Sequence, residues 1–343
     1  MRILVSGATG QDGSYLLEQL IDEGHQVFAG VRHSSVLSTP RIEHLRSDKN
    51  LEILDLDLSD SQSVINAIRI SEPDEVYNLA AQSHVKVSYS VPEYTGNTNA
   101  LGTLRLLEGL RTSKYINTVR FYQASTSELF GPDSTSPQTE STPFHPRSPY
   151  GISKLYGYWM ARHHRESYGM FVSNGILFNH ESPRRPKNFV SRKISSSVAQ
   201  IYKGERESLT LGDLDAKRDW GHSKDYVRAM TQILRHEVPD DFVISTGKSY
   251  SVRDFVECAF KVIGVDIVWN GVGIQEHGID PKSGMTRVVV DEKYFRPGKE
   301  ANLLGDSTKA RQELKWAPKI TFSQLVTEMV EYDLSKEARY NGY

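Results

Sequence analysis

The chain is nearly devoid of cysteine: Cys258 stands alone among 343 residues, which excludes an intramolecular disulfide and with it the stapled scaffolds of small secreted domains. Its neighbours Phe255, Val256, Ala259 and Phe260 mark a helix core position, and a reducing cytoplasm is the expected setting. Neither sign of charge is in excess, since 41 Lys and Arg face 43 Asp and Glu scattered along the chain. That balance excludes the basic footprint of a nucleic-acid binder and an acidic tail, so any anion recognition must come from local basic spots. No apolar run approaches the roughly 18 residues of a membrane span, and residues 1–8 read as a short buried strand rather than an export signal. An unexported protein with no membrane or nucleic-acid partner is expected. Repeats, low-complexity tracts, long linkers and metal-ligand spacings are also missing, and no metal is expected.

What is present is an alternation. Apolar runs rich in Val, Ile and Leu alternate with helical-period segments through the first half, the pattern of parallel strands buried on both faces by crossover helices. Strands are expected near 2–6, 26–31, 51–54, 75–79, 118–124 and 171–178, with helices near 12–24, 61–70, 95–113 and 149–168. After residue 179 the pattern loosens into basic and aromatic loops, SPRRPKNFVSRK and LDAKRDWGHSKDY, followed by helices near 223–236 and 251–263. The strand-like DFVIS at 241–245 is placed to return to the main sheet. The fold class is therefore α/β: a doubly wound parallel sheet (Rossmann) with a smaller, sequence-interleaved α/β substrate lobe. Residues 1–178 form the dinucleotide domain, with return segments near 219–246, and 179–218 with 247–343 form mainly the second lobe.

The opening RILVSGATGQDGSYLLEQL sets Gly7, Gly10 and Gly13 three apart at a strand-to-helix junction, with Ala8, Thr9, Gln11 and Asp12 between them. Residues without Cβ permit a tight turn and close approach of backbone N–H groups to a pyrophosphate, although glycine-rich turns also end strands for steric reasons alone. The spacing is G-x-x-G-x-x-G rather than G-x-G-x-x-G. At the end of the second strand, where an acid would bind the ribose of NAD, the sequence is FAGVRHSS, with no acid from residue 24 to 42. Arg32, His33, Ser34 and Ser35 offer cations and hydroxyl donors suited to a 2′-phosphate, which points to NADP; an exposed loop arginine is the plainer reading of Arg32. Asp57 and Leu58 after the third strand, and Leu79, Ala80, Ala81, Gln82 and Ser83 after the fourth, are placed to line the cofactor's path or to form plain turns.

Tyr150 and Lys154 in SPYGISKLYGYW lie four apart on one helix face, where an ammonium stabilises a phenolate and makes it a usable base. The spacing is weak alone, since Tyr332 and Lys336 repeat it as an ordinary solvated helix pair. Upstream, QASTSELFGPD sets three hydroxyls beside Glu128. Ser125 to Glu128 matches a capping box, yet Gly131-Pro132 leaves room for one turn at most. Hydroxyls at the C-terminal edge of a parallel strand are better placed for a ligand.

GATGQDGSYL, LAAQSHV, ASTSELFG, PYGISK, LFNHESPRR, NFVSRKI, LDAKRDWGHSKDYV and YFRP together resemble the extended short-chain dehydrogenase/reductases, and among them the GDP-mannose 4,6-dehydratase family, over essentially the whole chain. The resemblance implies NADP-mediated oxidation at C4 of GDP-mannose, loss of water across C5 and C6, and return of the hydride to C6. It makes Tyr150 the base for the 4-hydroxyl, Lys154 its electrostatic partner and a ribose ligand, and Thr126 a hydrogen-bond partner of the 4-hydroxyl. Glu128 then takes the C5 proton and helps the 6-hydroxyl leave, a role that 4-epimerases and 4-keto reductases lack. His180, Arg185 and Tyr94 complete the cofactor pocket, Ser83 and Thr126 touch substrate, and Asn179, Lys193 and Arg218 meet the diphosphate. His163 and His164 are read as surface or packing residues. The family often carries two arginines where this chain has Arg32-His33, in a loop that also bridges subunits into a tetramer. A homodimer is expected through helices 95–113 and 149–168, whose Leu101, Leu104, Leu107, Leu110, Tyr156 and Trp159 serve an interface or the core. A GDP-heptose 4,6-dehydratase, a 4-keto reductase or epimerase, and a non-catalytic NADP-binding regulator are the alternatives.

Overall fold

The computed structural model describes residues 1–33, 39–132, 134–294 and 303–335. Strands β1 (Arg2–Ser6), β2 (Gln26–Val31), β3 (Leu51–Asp55), β4 (Glu75–Asn78), β5 (Arg120–Thr126) and β6 (Phe171–Leu177) are joined by crossover helices α1 (Gln11–Asp22), α2 (Ser61–Ser71), α3 (Val85–Ser90), α4 (Pro92–Gly96), α5 (Gly102–Arg111) and α6 (Pro149–Tyr168). The later elements are β7 (Asn179–Glu181), α7 (Val190–Tyr202), β8 (Leu209–Leu211), β9 (Lys217–His222), α8 (Ser223–Leu234), β10 (Asp241–Ile244), β11 (Ser249–Ser251), α9 (Val252–Val262), β12 (Val268–Asn270), β13 (His277–Ile279), β14 (Thr286–Val290), α10 (Thr308–Glu313) and α11 (Phe322–Ser335).

Seven parallel strands run β3-β2-β1-β4-β5-β6-β10, so DFVIS joins the main sheet at the edge beside β6. Strand order reverses between β1 and β4, where the two crossovers leave on opposite sides and open a crevice above the strand ends. Alternate side chains feed two cores: Ile3, Val5, Tyr77 and Tyr122 pack under α1 and α8, while Leu4, Val76, Phe121 and Val172 pack under α2, α5 and α6. A third core, with Trp220, Phe255, Phe260 and Met329, holds the smaller lobe of sheets β11-β9-β7 and β12-β13-β14-β8. Ala310, Leu314 and Trp316 pack with α1 and α8, although they lie in the 247–343 stretch read as the second lobe.

Helix ends follow the expected chemistry. Asp60 caps α2 through Gln62 N and Ser63 N, and Ser148 caps α6 through Gly151 N, with Pro149 in the first turn and Gly169 closing it at φ 66°. The helix expected over 95–113 starts earlier, at Pro92, and passes through a π-helical turn at Asn97–Leu101 before continuing as α5. That wider turn sets Asn99 to hold the backbone of Gln82, a demand the sequence pattern does not carry.

Inside the sheet, Gly175 of β6 faces the Tyr122 ring so closely that a Cβ there would overlap its hydroxyl. Gly175→Ala should therefore lower the unfolding free energy by about 1–3 kcal/mol. The urea midpoint reads this, and an unchanged midpoint would contradict the packing.

Candidate active site

A cavity of about 620 Å³ runs along the C-terminal edge of the main sheet and into the smaller lobe. Its floor is the turn from β1 into α1. Gly7 sits at φ 69°, and a Cβ there would lie 2.7 Å from Ala80 N; at Gly13 a Cβ would overlap the Gly7 carbonyl. Gly10 is the N-cap of α1 and no side chain caps it, so the first N–H groups of the helix are left for an anionic ligand. Thr9, Gln11 and Asp12 line the cavity with the three glycines, whereas Ala8 is buried in the core beneath. Close-packed glycines and uncapped donors fit the pyrophosphate of a dinucleotide.

Arg32, Asp57, Leu58 and Tyr94 also line the cavity, and Arg32 Nη1 donates to Tyr94 Oη at 2.6 Å. Asp57 is held by Ser59, whose N–H and hydroxyl donate to its Oδ1 at 2.8 and 2.7 Å. His33 is turned away from this wall: it is exposed, with Nδ1 3.5 Å from Asp55 Oδ1. Ser34 and Ser35 lie outside the described residues. Leu79, Ala80, Ala81 and Ser83 line the middle, but Gln82 does not. Its N–H donates to Asn99 Oδ1 at 2.8 Å and its side chain to the His84 carbonyl at 3.2 Å, so it braces the loop from behind. A buried amide network supports the same loop. Leu79 N and Ala80 N both donate to Ser6 Oγ, Ser6 Oγ donates to Asn78 Oδ1, and Asn78 Nδ2 donates to Gln123 Oε1 at 2.8 Å.

Farther along, β5 delivers Thr126, the turn after it Glu128, and the first turns of α6 Tyr150 and Lys154; all four line the cavity. The two readings of STSE merge. Thr126, not Ser125, caps a single 3-10 turn at Ser127–Leu129 by accepting from Glu128 N at 3.3 Å, which leaves the Glu128 side chain on the cavity wall. The Tyr150 phenol is hydrogen-bonded to Thr126 and pushed up to about 12: burial dominates, the Glu128 and Asp12 carboxylates add to it, and Thr126 and Arg185 oppose it. Burial also pushes the Lys154 ammonium down to about 8, and its Nζ donates to the Ala124 carbonyl at 2.9 Å.

The far end is basic. Asn179, His180, Arg185, Lys193 and Arg218 line it. His180 forms an ion pair with Asp12 at 2.8 Å. Arg185 stacks 3.7 Å above the Phe189 ring and lies 3.0 Å from Glu181 Oε2, and Lys193 Nζ sits 3.4 Å above the Tyr294 ring. Burial, with Arg206 and Lys293 nearby, pushes Lys193 down to about 8. Arg218 Nη1 donates to the Lys217 carbonyl at 2.7 Å.

Sequence reading missed Arg41, which lines the cavity and donates to the carbonyls of Thr9 at 3.1 Å and Arg184 at 2.8 Å. The legible signal was the acid-free stretch from 24 to 42, which contains it. Of the two adjacent histidines, His163 is exposed, while His164 is buried between the Met160 carbonyl at 2.8 Å and Glu108 Oε1 at 2.9 Å. Among the described residues no group of three His, Cys, Asp or Glu is arranged to hold a metal ion, and no helix is long and apolar enough to cross a membrane.

Comparison with known proteins gives the same outline. The family model for GDP-mannose 4,6 dehydratase matches residues 4–329. The GDP-mannose 4,6 dehydratase of Homo sapiens is 52% identical over 337 residues, covering 96% of this chain and 91% of the relative. Among solved structures, the dTDP-glucose 4,6-dehydratase of Bacillus anthracis with NAD has a TM-score of 0.78 at 23% identity, covering 97% of this chain and 96% of that one. RMD of Pseudomonas aeruginosa with NADPH has a TM-score of 0.76 at 22% identity, covering 98% and 99%. These two likenesses concern the fold. The family match over nearly the full length, with the half-identical relative, is decisive: the chain belongs to the GDP-mannose 4,6-dehydratase family.

Proposed function

We propose that the protein is itself a GDP-mannose 4,6-dehydratase, a hydro-lyase that works with NADP and forms GDP-4-keto-6-deoxy-mannose. The observation that carries this reading is one continuous cavity lined by an uncapped, glycine-flanked helix start, by basic groups, and by Thr126, Glu128, Tyr150 and Lys154. A nicotinamide bound there would supply the hydride acceptor for C4, the donor for C6 and, in its oxidised form, a positive charge.

Tyr150 accepts the 4-hydroxyl proton. Its value of about 12 is set by burial among carboxylates, is opposed by Thr126 and Arg185, and falls as positive charge enters the cavity. Thr126 holds both the phenol and the 4-hydroxyl. Glu128 removes the C5 proton, which is acidic only after C4 becomes a carbonyl, and passes it to the departing 6-hydroxyl, which leaves as water; when the hydride returns to C6, the proton that Tyr150 took from the 4-hydroxyl goes to C5. Asn179, Lys193 and Arg218 bind the diphosphate, with Ser83 lining the sugar's side.

Arg32, set by Tyr94, takes the 2′-phosphate, and this supports NADP over NAD. Cys258, whose thiol burial pushes up, suits a reducing cytoplasm. Leu101, Ile152, Tyr156 and Trp159 are exposed large apolar side chains on the π turn and α6, while Leu107 and Leu110 are fully buried. Those exposed groups are the reason to assign a homodimer, or a tetramer built from it, to this face.

Incubation with NADP and a panel of GDP-, UDP-, CDP- and dTDP-sugars, read by mass loss of water, tests the substrate class. GDP-mannose should lose water; dehydration of a GDP-heptose in its place would move the assignment. Glu128→Gln should lower turnover by about 10²–10⁴-fold while NADP binding is kept, and unchanged turnover would sink its role. Arg32→Ala should weaken NADP binding by roughly 10–100-fold and leave NAD binding nearly unaltered, as isothermal titration would show. Equal losses for both cofactors would rule out the 2′-phosphate contact.

A further inference from the structure

Helix α1 is stitched to the segment after β6 at successive positions along its length. Gln11 Nε2 donates to the His180 carbonyl at 3.0 Å, and Ser182 Oγ donates to Gln11 Oε1 at 2.8 Å. One turn on, Arg184 Nη1 donates to Ser14 Oγ at 3.1 Å, Nη2 pairs with Glu18 at 2.5 Å, and the guanidinium stacks 3.9 Å above the Tyr15 ring. Between these lies the Asp12–His180 pair.

The two ring nitrogens of His180 define its state. Nδ1 lies 2.7 Å from the Phe178 carbonyl and Nε2 lies 2.8 Å from Asp12 Oδ2. A carbonyl and a carboxylate only accept, so both nitrogens donate and the ring is an imidazolium. It stacks on Tyr226 at 4.5 Å and 22°, and Asp12 Oδ1 accepts from Ser223 Oγ at 2.8 Å. Arg185 is the other charged group that acts on the ring, and Asp219, Asp225 and Glu181 act on the stacked Tyr226. Burial opposes both charges, yet the pair outweighs it: Asp12 is held below its ordinary range and His180 above.

The position of this pair matters more than its strength. Asp12 stands in the first turn of the helix whose N–H groups would hold the cofactor's pyrophosphate. His180 is the middle residue of the three-residue β7, directly after Asn179, and Asn179 lines the basic end of the cavity. A side chain fixed to the dinucleotide helix therefore fixes a substrate-facing residue one position away.

We propose that the Asp12–His180 ion pair is a positioning latch, through which a filled dinucleotide site sets β7 and Asn179 for the substrate diphosphate, so that cofactor and GDP-sugar bind cooperatively. This rests on the functional reading above. His180 acts here through Asn179 and is a positioning residue.

Isothermal titration of GDP into the full chain, with and without saturating NADP, measures the coupling directly. In the wild type NADP should tighten GDP binding about tenfold. His180→Asn keeps a donor for the Phe178 carbonyl and loses the partner of Asp12; Asp12→Asn keeps the size and the Ser223 contact and loses the charge. In either folded variant the ratio should fall to within about twofold of unity. A ratio preserved in the variants, or absent from a wild type that binds GDP, overturns the latch alone. A wild type that binds no GDP overturns the functional reading and the latch with it.

Discussion

The approach of the glycine turn to the end of β4 is the constraint on which the rest depends. With a Cβ at Gly7 only 2.7 Å from Ala80 N, the turn between β1 and α1 and the loop after β4 meet backbone to backbone. That contact closes the floor of the crevice where strand order reverses and leaves the start of α1 open above it. Ser6 at the end of β1 then holds Leu79 N and Ala80 N, and Asn99 holds Gln82, so the loop is fixed from both sides. Any side chain at Gly7 would push the loop outward and displace the path that a dinucleotide must follow.

Above this floor the balance is between burial and charge. Tyr150 and Lys154 are both driven toward their neutral forms, the phenol up to about 12 and the ammonium down to about 8. Both shifts have burial as their largest cause, and both would be reduced by a ligand that carries the opposite charges into the cavity. The site is thus arranged to become reactive when filled. The Asp12–His180 pair is the exception, charged already because each group supplies the other's counter-ion.

The sheet was legible because its signals are local. The Val-rich strands, Gly7 to Gly13, Ser148-Pro149 before α6 and the early Gly131 stop each follow from near neighbours in sequence, whereas the grouping of Thr126 and Glu128 with Tyr150 and Lys154 rested on the family resemblance, and all four line one cavity. What escaped is tertiary. Gln82 faces away because Asn99, in a π turn, claims its backbone, and His180 is ionised because a carboxylate 168 positions earlier meets it. Arg41 reaches the cavity only because Thr9 and Arg184 come together there. No period or motif records such meetings.

The proposed chemistry is an internal redox cycle in which the hydride that leaves C4 returns to C6 of the same sugar. GDP-mannose carrying deuterium at C4, turned over with NADP and analysed by NMR and mass spectrometry, tests it most directly. The label should be found at C6 of a 4-keto-6-deoxy product with no net build-up of NADPH. Deuterium retained at C4, or held in NADPH that accumulates with turnover, would contradict it.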